Sequence, residues 1–304
     1  MSKNVSFKIS EDEMKAMIDY YQSFQKDNSG DYIVFFAKKD NVTITIFESK
    51  KGHTITFAGE KAQEEANVWR TDLVELTPEI DETPREWKYL DSQIGSDEVG
   101  VVDLFLPLVV VGAYVNEFDI AELKKLGVMD SKKLTDNKIL KLAPKLIEKY
   151  RFEKIILSND KYVKASSKDE NAQSIKAKLH NRVLLKLHKE YPEVANIFVD
   201  QFVNEKSYFK YLQGGKDEVV TNVLLKTKGE SNFPAVALAS VIARYYFLLE
   251  KQRLEKKYGL EFPFGAAANK KSVGFAHQFI DKYGLEELMK ISKTNFSSFI
   301  KLIS

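Results

Sequence analysis

The sequence predicts an α/β protein in two parts: a small α+β domain, then a larger domain in which strands alternate with helices. Three observations carry this reading. After Ser10, apolar residues recur at helical intervals and give way to three β-branched and aromatic runs. A polar stretch, "LTPEIDETPRE" (76–86), with two prolines, then interrupts the pattern. From Ile94 onward, apolar runs of strand length alternate with amphipathic runs of helix length.

Taken in order, Ser10 and Glu13 have the spacing of a capping box, and Met14, Met17, Ile18, Tyr21 and Phe24 mark one face of a helix. "DYIVFFAKK", "NVTITIFES" and "HTITFAG" read as strands, and the alternation of Val42, Ile44 and Ile46 leaves one sheet face polar, as in an antiparallel sheet. A short helix near Ala62, Ala66 and Trp69 closes the domain. These features place the first domain at 1–75, a linker at 76–86 and the second domain at 87–304. In the second domain, strand-like runs flank Asp97. A helix follows Thr135, with Ile139, Leu140, Ala143, Leu146 and Ile147 on one face. "FEKIILS" is a strand, Ile175, Leu179, Val183 and Leu187 mark a long helix, and "ANIFVD" is a strand that stops at Asp200. "EVVTNVLL" is expected to be another strand. Pro234 suits a first helical turn, and "AVALASVIARYYFLL" is apolar nearly all round, so that helix is expected to be deeply buried.

Composition excludes several kinds of chemistry. The 304 residues are 44% hydrophobic and 30% charged, enough to bury a sizeable core. With no cysteine there is no disulfide, no thiolate nucleophile and no cysteine-based zinc site, which fits a reducing cytoplasm. The first residues lack an apolar signal region, and the longest apolar run, Leu104 to Val115, is too short to span a bilayer, so neither secretion nor membrane insertion is expected. A formal net charge of +2 means that any nucleic acid would be held by local basic patches.

Four acids stand at the edges of apolar segments: the adjacent pair Asp97 and Glu98, Asp200 at the end of a strand, and Glu230 just before the buried helix. Ionised carboxylates in such places are costly unless a cation or several hydrogen bonds compensate them. A pair of hard divalent cations would satisfy a cluster of oxygen ligands and would suit phosphodiester hydrolysis. A single acid at a strand end is more commonly a turn or cap residue, and spacing alone does not bring the four together. Neighbours in a regular strand also point to opposite faces, so Asp97 and Glu98 serve one site only if the backbone is irregular there or the site lies at the strand's end. Gly100 allows irregularity. The four histidines, His53, His180, His188 and His277, are scattered and read as structural or surface residues. Phe35, Phe36 and Phe47 read as core.

In this order and with suitable gaps, "IGSDEVG" (94–100), "MDSKKLTDNKI" (129–139), "KLHNRVLL" (178–185), "FVDQF" (198–202), "TKGES" (227–231) and "ALASVIARYYF" (237–247) resemble bacterial ribonuclease HIII along the whole chain. The resemblance implies a ribonuclease H-like catalytic domain with a mixed sheet and flanking helices, preceded by a substrate-binding domain like the TATA-box-binding protein fold. It implies endonucleolytic cleavage of the RNA strand of RNA/DNA hybrids, leaving a 3′-hydroxyl and a 5′-phosphate, with Mg²⁺ or Mn²⁺ as cofactor. The family's Asp, Glu, Asp, Glu quartet falls on Asp97, Glu98, Asp200 and Glu230. Gly100, Ser131 and Lys132 fall on substrate-binding positions. The expected setting is cytoplasmic, with no membrane and no obligate protein partner.

The chain also departs from the family. Val102 and Leu106 stand where the family usually has glycines, Phe264 stands where lysine is common, and Asn295 where histidine is usual. Glycine there would let the backbone approach nucleic acid more closely than a Cβ permits. These departures predict retained metal binding with slow or poorly discriminating cleavage. Two other readings stay open at this point: a nucleic-acid-binding protein of the same fold with weak catalysis, and a metal-dependent DNA nuclease.

Overall fold

The computed structural model describes residues 3–27, 32–49, 52–69, 87–128, 134–166, 170–265, 270–297, 299 and 302. It divides into two compact units, Met1–Pro84 and Arg85–Ser304. The 76–86 stretch lies outside the described residues.

The first unit starts with strand β1 (Lys3–Ile9) and continues through α1 (Glu11–Tyr21), β2 (Ile33–Lys39), β3 (Val42–Ser49), β4 (Gly52–Gly59) and α2 (Ala62–Asn67). β1 was not anticipated, although Val5, Phe7 and Ile9 alternate strictly with Ser6 and Lys8; its partner lies far along the chain. It pairs antiparallel with β4, in the sheet order β1-β4-β3-β2. The capping box forms: Ser10 Oγ accepts from Glu13 N–H, and Glu13 returns a bond to Ser10 N–H at 2.7 Å. Val5, Phe35, Ile44, Ile46, Ile55 and Phe57 turn inward against Met17 and Tyr21 of α1 and against Ala62 and Ala66 of α2. Phe47, read from the sequence as core, is 37% exposed instead. It sits one place beyond the inward Ile46, so strand alternation turns it to the other face.

The second unit is a five-stranded mixed sheet with helices on both faces. Its elements are β5 (Gln93–Val99), β6 (Leu108–Val115), α3 (Ile120–Lys125), α4 (Asp136–Lys149), β7 (Phe152–Leu157), α5 (Asn159–Ala165), α6 (Ala172–Glu190), β8 (Asn196–Asp200), α7 (Glu205–Leu212), β9 (Val223–Lys226), α8 (Gly229–Asn232), α9 (Pro234–Tyr258), α10 (Lys270–Tyr283) and α11 (Leu285–Lys290). The strand order is β7-β6-β5-β8-β9. β5 runs antiparallel to β6 and parallel to β8, so the sheet's centre places the ends of β5 and β8 side by side.

Alternation along β6 separates two cores. Val109, Val111, Ala113 and Val115 pack with α4 and α9 on one face, while Leu108 and Val110 pack with α6 on the other. The helix beginning at Pro234 is buried over its first ten residues except at Ser240, and Gly259, at φ 60°, ends it. The expected strand "EVVTNVLL" is shorter than the pattern suggested. Only Val223–Lys226 joins the ladder, because Val220 N–H donates to the Asn181 side chain and Asn222 Nδ2 donates to Ala195 O. No helix among the described residues is long and apolar enough to cross a membrane.

Candidate active site

β5 is regular through both acids: Asp97 pairs with Val111 and Glu98 with Val110. The two side chains therefore leave the sheet on opposite faces. Ser96 and Glu98 face α6, and Asp97 faces α9.

On the α9 face, the Asp97 carboxylate takes a bond from the Ser240 hydroxyl, and its Oδ1 accepts Glu98 N–H at 2.8 Å. It is 8% exposed. Burial, followed by the nearby charges of Glu98 and Asp200, pushes it up to about 8. Asp200 ends β8, and its Oδ1 accepts Gly229 N–H at 2.7 Å. Glycine suits that approach, because a Cβ on Gly229 would lie 3.1 Å from both Asp200 Cα and Oδ1, tighter than ordinary contact. Lys228, just before it, holds a left-handed φ of 57° and turns the chain into the single turn of α8. α8 carries Glu230, which is 5% exposed, and the Glu230 carbonyl accepts from Trp87 Nε1 at 3.2 Å.

On the α6 face, Glu98 is held by two partners the sequence reading did not assign. Lys176 Nζ lies 2.9 Å from Oε1, and His180 Nε2 lies 3.0 Å from Oε2. His180 Nδ1 lies 2.8 Å from Ser96 Oγ, which orients the ring, and Phe202 covers both partners, with Lys176 Nζ 4.0 Å from its centroid. Burial alone would raise the Glu98 carboxyl, but the bonds and charges of His180 and Lys176 outweigh it and hold it at about 2. Lys176 and His180 are four residues apart on α6, which puts them on one helix face. That spacing was a readable signal, but nothing in it pointed to Glu98.

Asp97, Glu98, Asp200 and Glu230 all line one cleft of about 460 Å³, together with Asp136, Ser240 and Arg244. The four acids are thus brought to one place. Arg244 makes a two-pronged pair with Asp136, both bonds at 3.0 Å, and its guanidinium lies 4.7 Å from the Phe264 ring. Gly100 directly follows β5, whereas Ser131 and Lys132 lie outside the described residues. Among the described residues, no group of three or more His, Cys, Asp or Glu side chains is arranged to hold a metal ion. The donor set nevertheless suits a hard cation. All the donors are oxygens, and Asp97 is a buried carboxyl that its acidic neighbours drive toward the neutral form.

A mixed sheet flanked by helices, with acids converging at the ends of its central strands, defines a ribonuclease H-type hydrolase. The family model for ribonuclease HII matches residues 94–299, and a domain of unknown function, DUF3378, matches residues 4–78. The chain is 33% identical over 296 residues to ribonuclease HIII of Lactococcus lactis subsp. cremoris, covering 97% of this chain and 96% of that one. It is 36% identical over 302 residues to ribonuclease HIII of Phytoplasma mali, covering 98% of each. Among solved structures, Bst-RNase HIII in complex with Mn²⁺ aligns at a TM-score of 0.67 and 31% identity, covering 99% of this chain and 98% of that one. The chain belongs to the ribonuclease HIII family. Members are metal-dependent ribonuclease H-type endoribonucleases acting on RNA/DNA hybrids with Mg²⁺ or Mn²⁺, and this chain is one of them.

Proposed function

We infer that the chain hydrolyses the RNA strand of RNA/DNA hybrids in the cleft between β5, β8 and α9, with Asp97 and Asp200 as the principal metal ligands. Glu98 and Glu230 complete the ligand shells or orient the attacking water. The observation that carries this assignment is the perturbed Asp97: a buried carboxyl flanked by Glu98 and Asp200 has a strong electrostatic need for a cation. A bound Mg²⁺ or Mn²⁺ supplies charge that activates water and stabilises the leaving oxygen.

The protein's own groups do the rest. Gly229 N–H holds the Asp200 carboxylate in one rotamer, and Ser240 does the same for Asp97. Lys176 and His180 keep Glu98 ionised and fixed, so it serves to orient a water or a cation through a hydrogen bond or charge and not as a strong base. Gly100, Ser131 and Lys132 contact the substrate backbone, and residues 1–75 form a substrate-binding domain joined by the 76–86 linker to the catalytic domain 87–304. We place the activity in the cytoplasm, which the lack of cysteine fits, and without an obligate protein partner.

The test is cleavage of labelled RNA/DNA hybrid, DNA duplex and RNA duplex in Mg²⁺ and then in Mn²⁺. Hybrid-only cleavage is expected. Cleavage of DNA duplex, or binding without cleavage, would overturn the reading.

A further inference from the structure

Immediately after β5 the chain turns through residues 100–107 before entering β6, and this segment is anchored from beneath by a buried cation. Lys293 is 0% exposed. Its Nζ donates to three backbone carbonyls, Gly100 O at 2.6 Å, Asp103 O at 2.5 Å and Leu106 O at 3.0 Å. Those three bonds use every donor an ammonium has. Further ties hold the same segment: Lys293 N–H donates to Leu104 O at 3.0 Å, and Asn159 Nδ2 donates to Leu104 O and to Ile291 O. At its side, Asp103 Oδ1 accepts Gly265 N–H at 2.6 Å, and Leu104 N–H reaches Gly265 O.

We propose that Lys293 is a positioning residue for hybrid cleavage: its ammonium fixes residues 100–107 beside the carboxylates, so that the segment's outer surface meets the scissile strand in one register. The proposal rests on the hybrid-cleavage reading above.

Burying an ammonium is a poor way to gain stability. Even with all its donors satisfied, the desolvation cost is of the order of what an apolar side chain of similar volume would avoid altogether. Burial pushes Lys293 down to about 7, and the Asp103 carboxylate works against that shift. The Tyr162 and Phe296 rings flank the ammonium at 5.5 and 5.8 Å. A methionine would match the two rings but would leave the three carbonyls without their shared donor. What only the ammonium supplies is one point to which three carbonyls converge.

Convergence also sets what the segment shows to the cleft. In a planar trans peptide the N–H points opposite to the C=O, so Val101 N–H is turned away from Lys293. Gly100 makes the turn possible, with φ 92° and with Pro107 O only 2.1 Å from where a Cβ would stand. Val102, two residues on, is 62% exposed, and Phe264, beside Gly265, is 41% exposed. The clamped side is thus dry and the opposite side open. Gly100 is two residues from Glu98, so a small drift of the segment would move the strand relative to the carboxylates.

The experiment compares wild type, Lys293→Met and Lys293→Arg on RNA/DNA hybrid, with Asp97→Asn as the control for the carboxylates. Kinetics per folded molecule are read alongside the Mn²⁺-induced thermal shift. Lys293→Met is expected to lower kcat about 10²-fold, the scale of a misplaced substrate, with the Mn²⁺ shift unchanged. Lys293→Arg keeps the charge but cannot aim three donors from one nitrogen, so it should fall between the two and spread the cut positions. A purely structural role would lower Tm and leave kcat, KM and cut positions alone, and that result in folded Lys293→Met overturns the proposal. If Lys293→Met does not fold, wild-type kinetics and cut positions in Lys293→Arg overturn it instead. Failure of wild type to cleave hybrid would overturn the underlying reading and this proposal with it, whereas an inactive Asp97→Asn beside a fully active Lys293→Met removes the proposal alone.

Discussion

Asp97 and Glu98 are neighbours with opposite electrostatic fates, and each sign follows from the face its side chain takes. Asp97 has a hydroxyl and an amide for company and two acids nearby, so its carboxyl is pushed up to about 8. Glu98 has Lys176 and His180 and is held at about 2. Between the ordinary carboxylate range and about 8, Asp97 keeps a proton in the folded protein that the unfolded chain has released. Native protein therefore binds more protons, and its stability without metal falls as pH rises through that window. Glu98 acts in the other direction: its contribution is present above the ordinary value and is lost as pH falls toward about 2. We expect the Tm measured in chelator to drop from about pH 5 to about pH 8, Asp97→Asn to flatten that drop, and Mn²⁺ to raise Tm more at the higher pH. A chelated wild type whose Tm profile matches that of Asp97→Asn would contradict this. On activity, Asp97→Asn or Asp200→Asn should lower hybrid turnover by about 10³-fold or more with the fold intact, as checked by kinetics and circular dichroism. Near-wild-type turnover with an unchanged metal titration would remove that residue from the site.

At the scale of elements, the segment from β5 to β6 is the most informative. The family's pattern singles out Val102 and Leu106 as departures, and the structure separates them. Leu106 is fully buried, and its carbonyl serves Lys293; Val102 projects into solvent. Val102 is not among the positive-φ residues, so its backbone does not require glycine. Any cost of valine there lies in how closely a nucleic-acid backbone can approach. Val102→Gly is expected to raise hybrid cleavage relative to DNA cleavage by several-fold. Side-by-side kinetics on the two duplexes would check it, and a strictly hybrid-specific wild type unimproved by glycine would show that valine is tolerated. Phe264 has a different surround from the lysine common at that position. Its ring takes the Arg244 guanidinium at 4.7 Å and Lys251 Nζ at 5.2 Å, two cations that are themselves paired with Asp136 and Glu255.

For the whole molecule, the near-neutral charge of +2 and the two compact units divide the work. Each unit has a core of its own: Tyr21 and Phe57 are fully buried in the first, and α4, α6 and α9 enclose the sheet of the second. A unit with its own core is able to fold alone. The four carboxylates all lie in the second. Deleting residues 1–80 should raise KM for hybrid by about tenfold or more, as expected when one of two linked binding modules is lost. Cleavage at saturating substrate should survive. An unchanged KM in a folded truncation would take the binding role away from the first unit.

Several features were determined by the sequence alone, because they depend on local periodicity or on a whole set of motifs. Ser10 and Glu13 specify their cap, α4 and α6 declare their buried faces at i and i+4 spacing, and the six motifs identify the family before any coordinate. Pairings distant along the chain were not legible. β1 is a strand because β4, some fifty residues later, supplies its ladder, and Val220 leaves its strand pattern because Asn181 takes its N–H. The same limit governed the site. The sequence placed Asp97 and Glu98 side by side and Asp200 and Glu230 elsewhere, but only the packing of α9 and α6 on opposite faces of β5 decided that Asp97 would have Ser240, and Glu98 would have Lys176 and His180. Lys293 is the plainest case. In sequence it is one lysine among many, and its meaning comes from three carbonyls nearly two hundred residues away, because burial and hydrogen bonding are properties of a position in space.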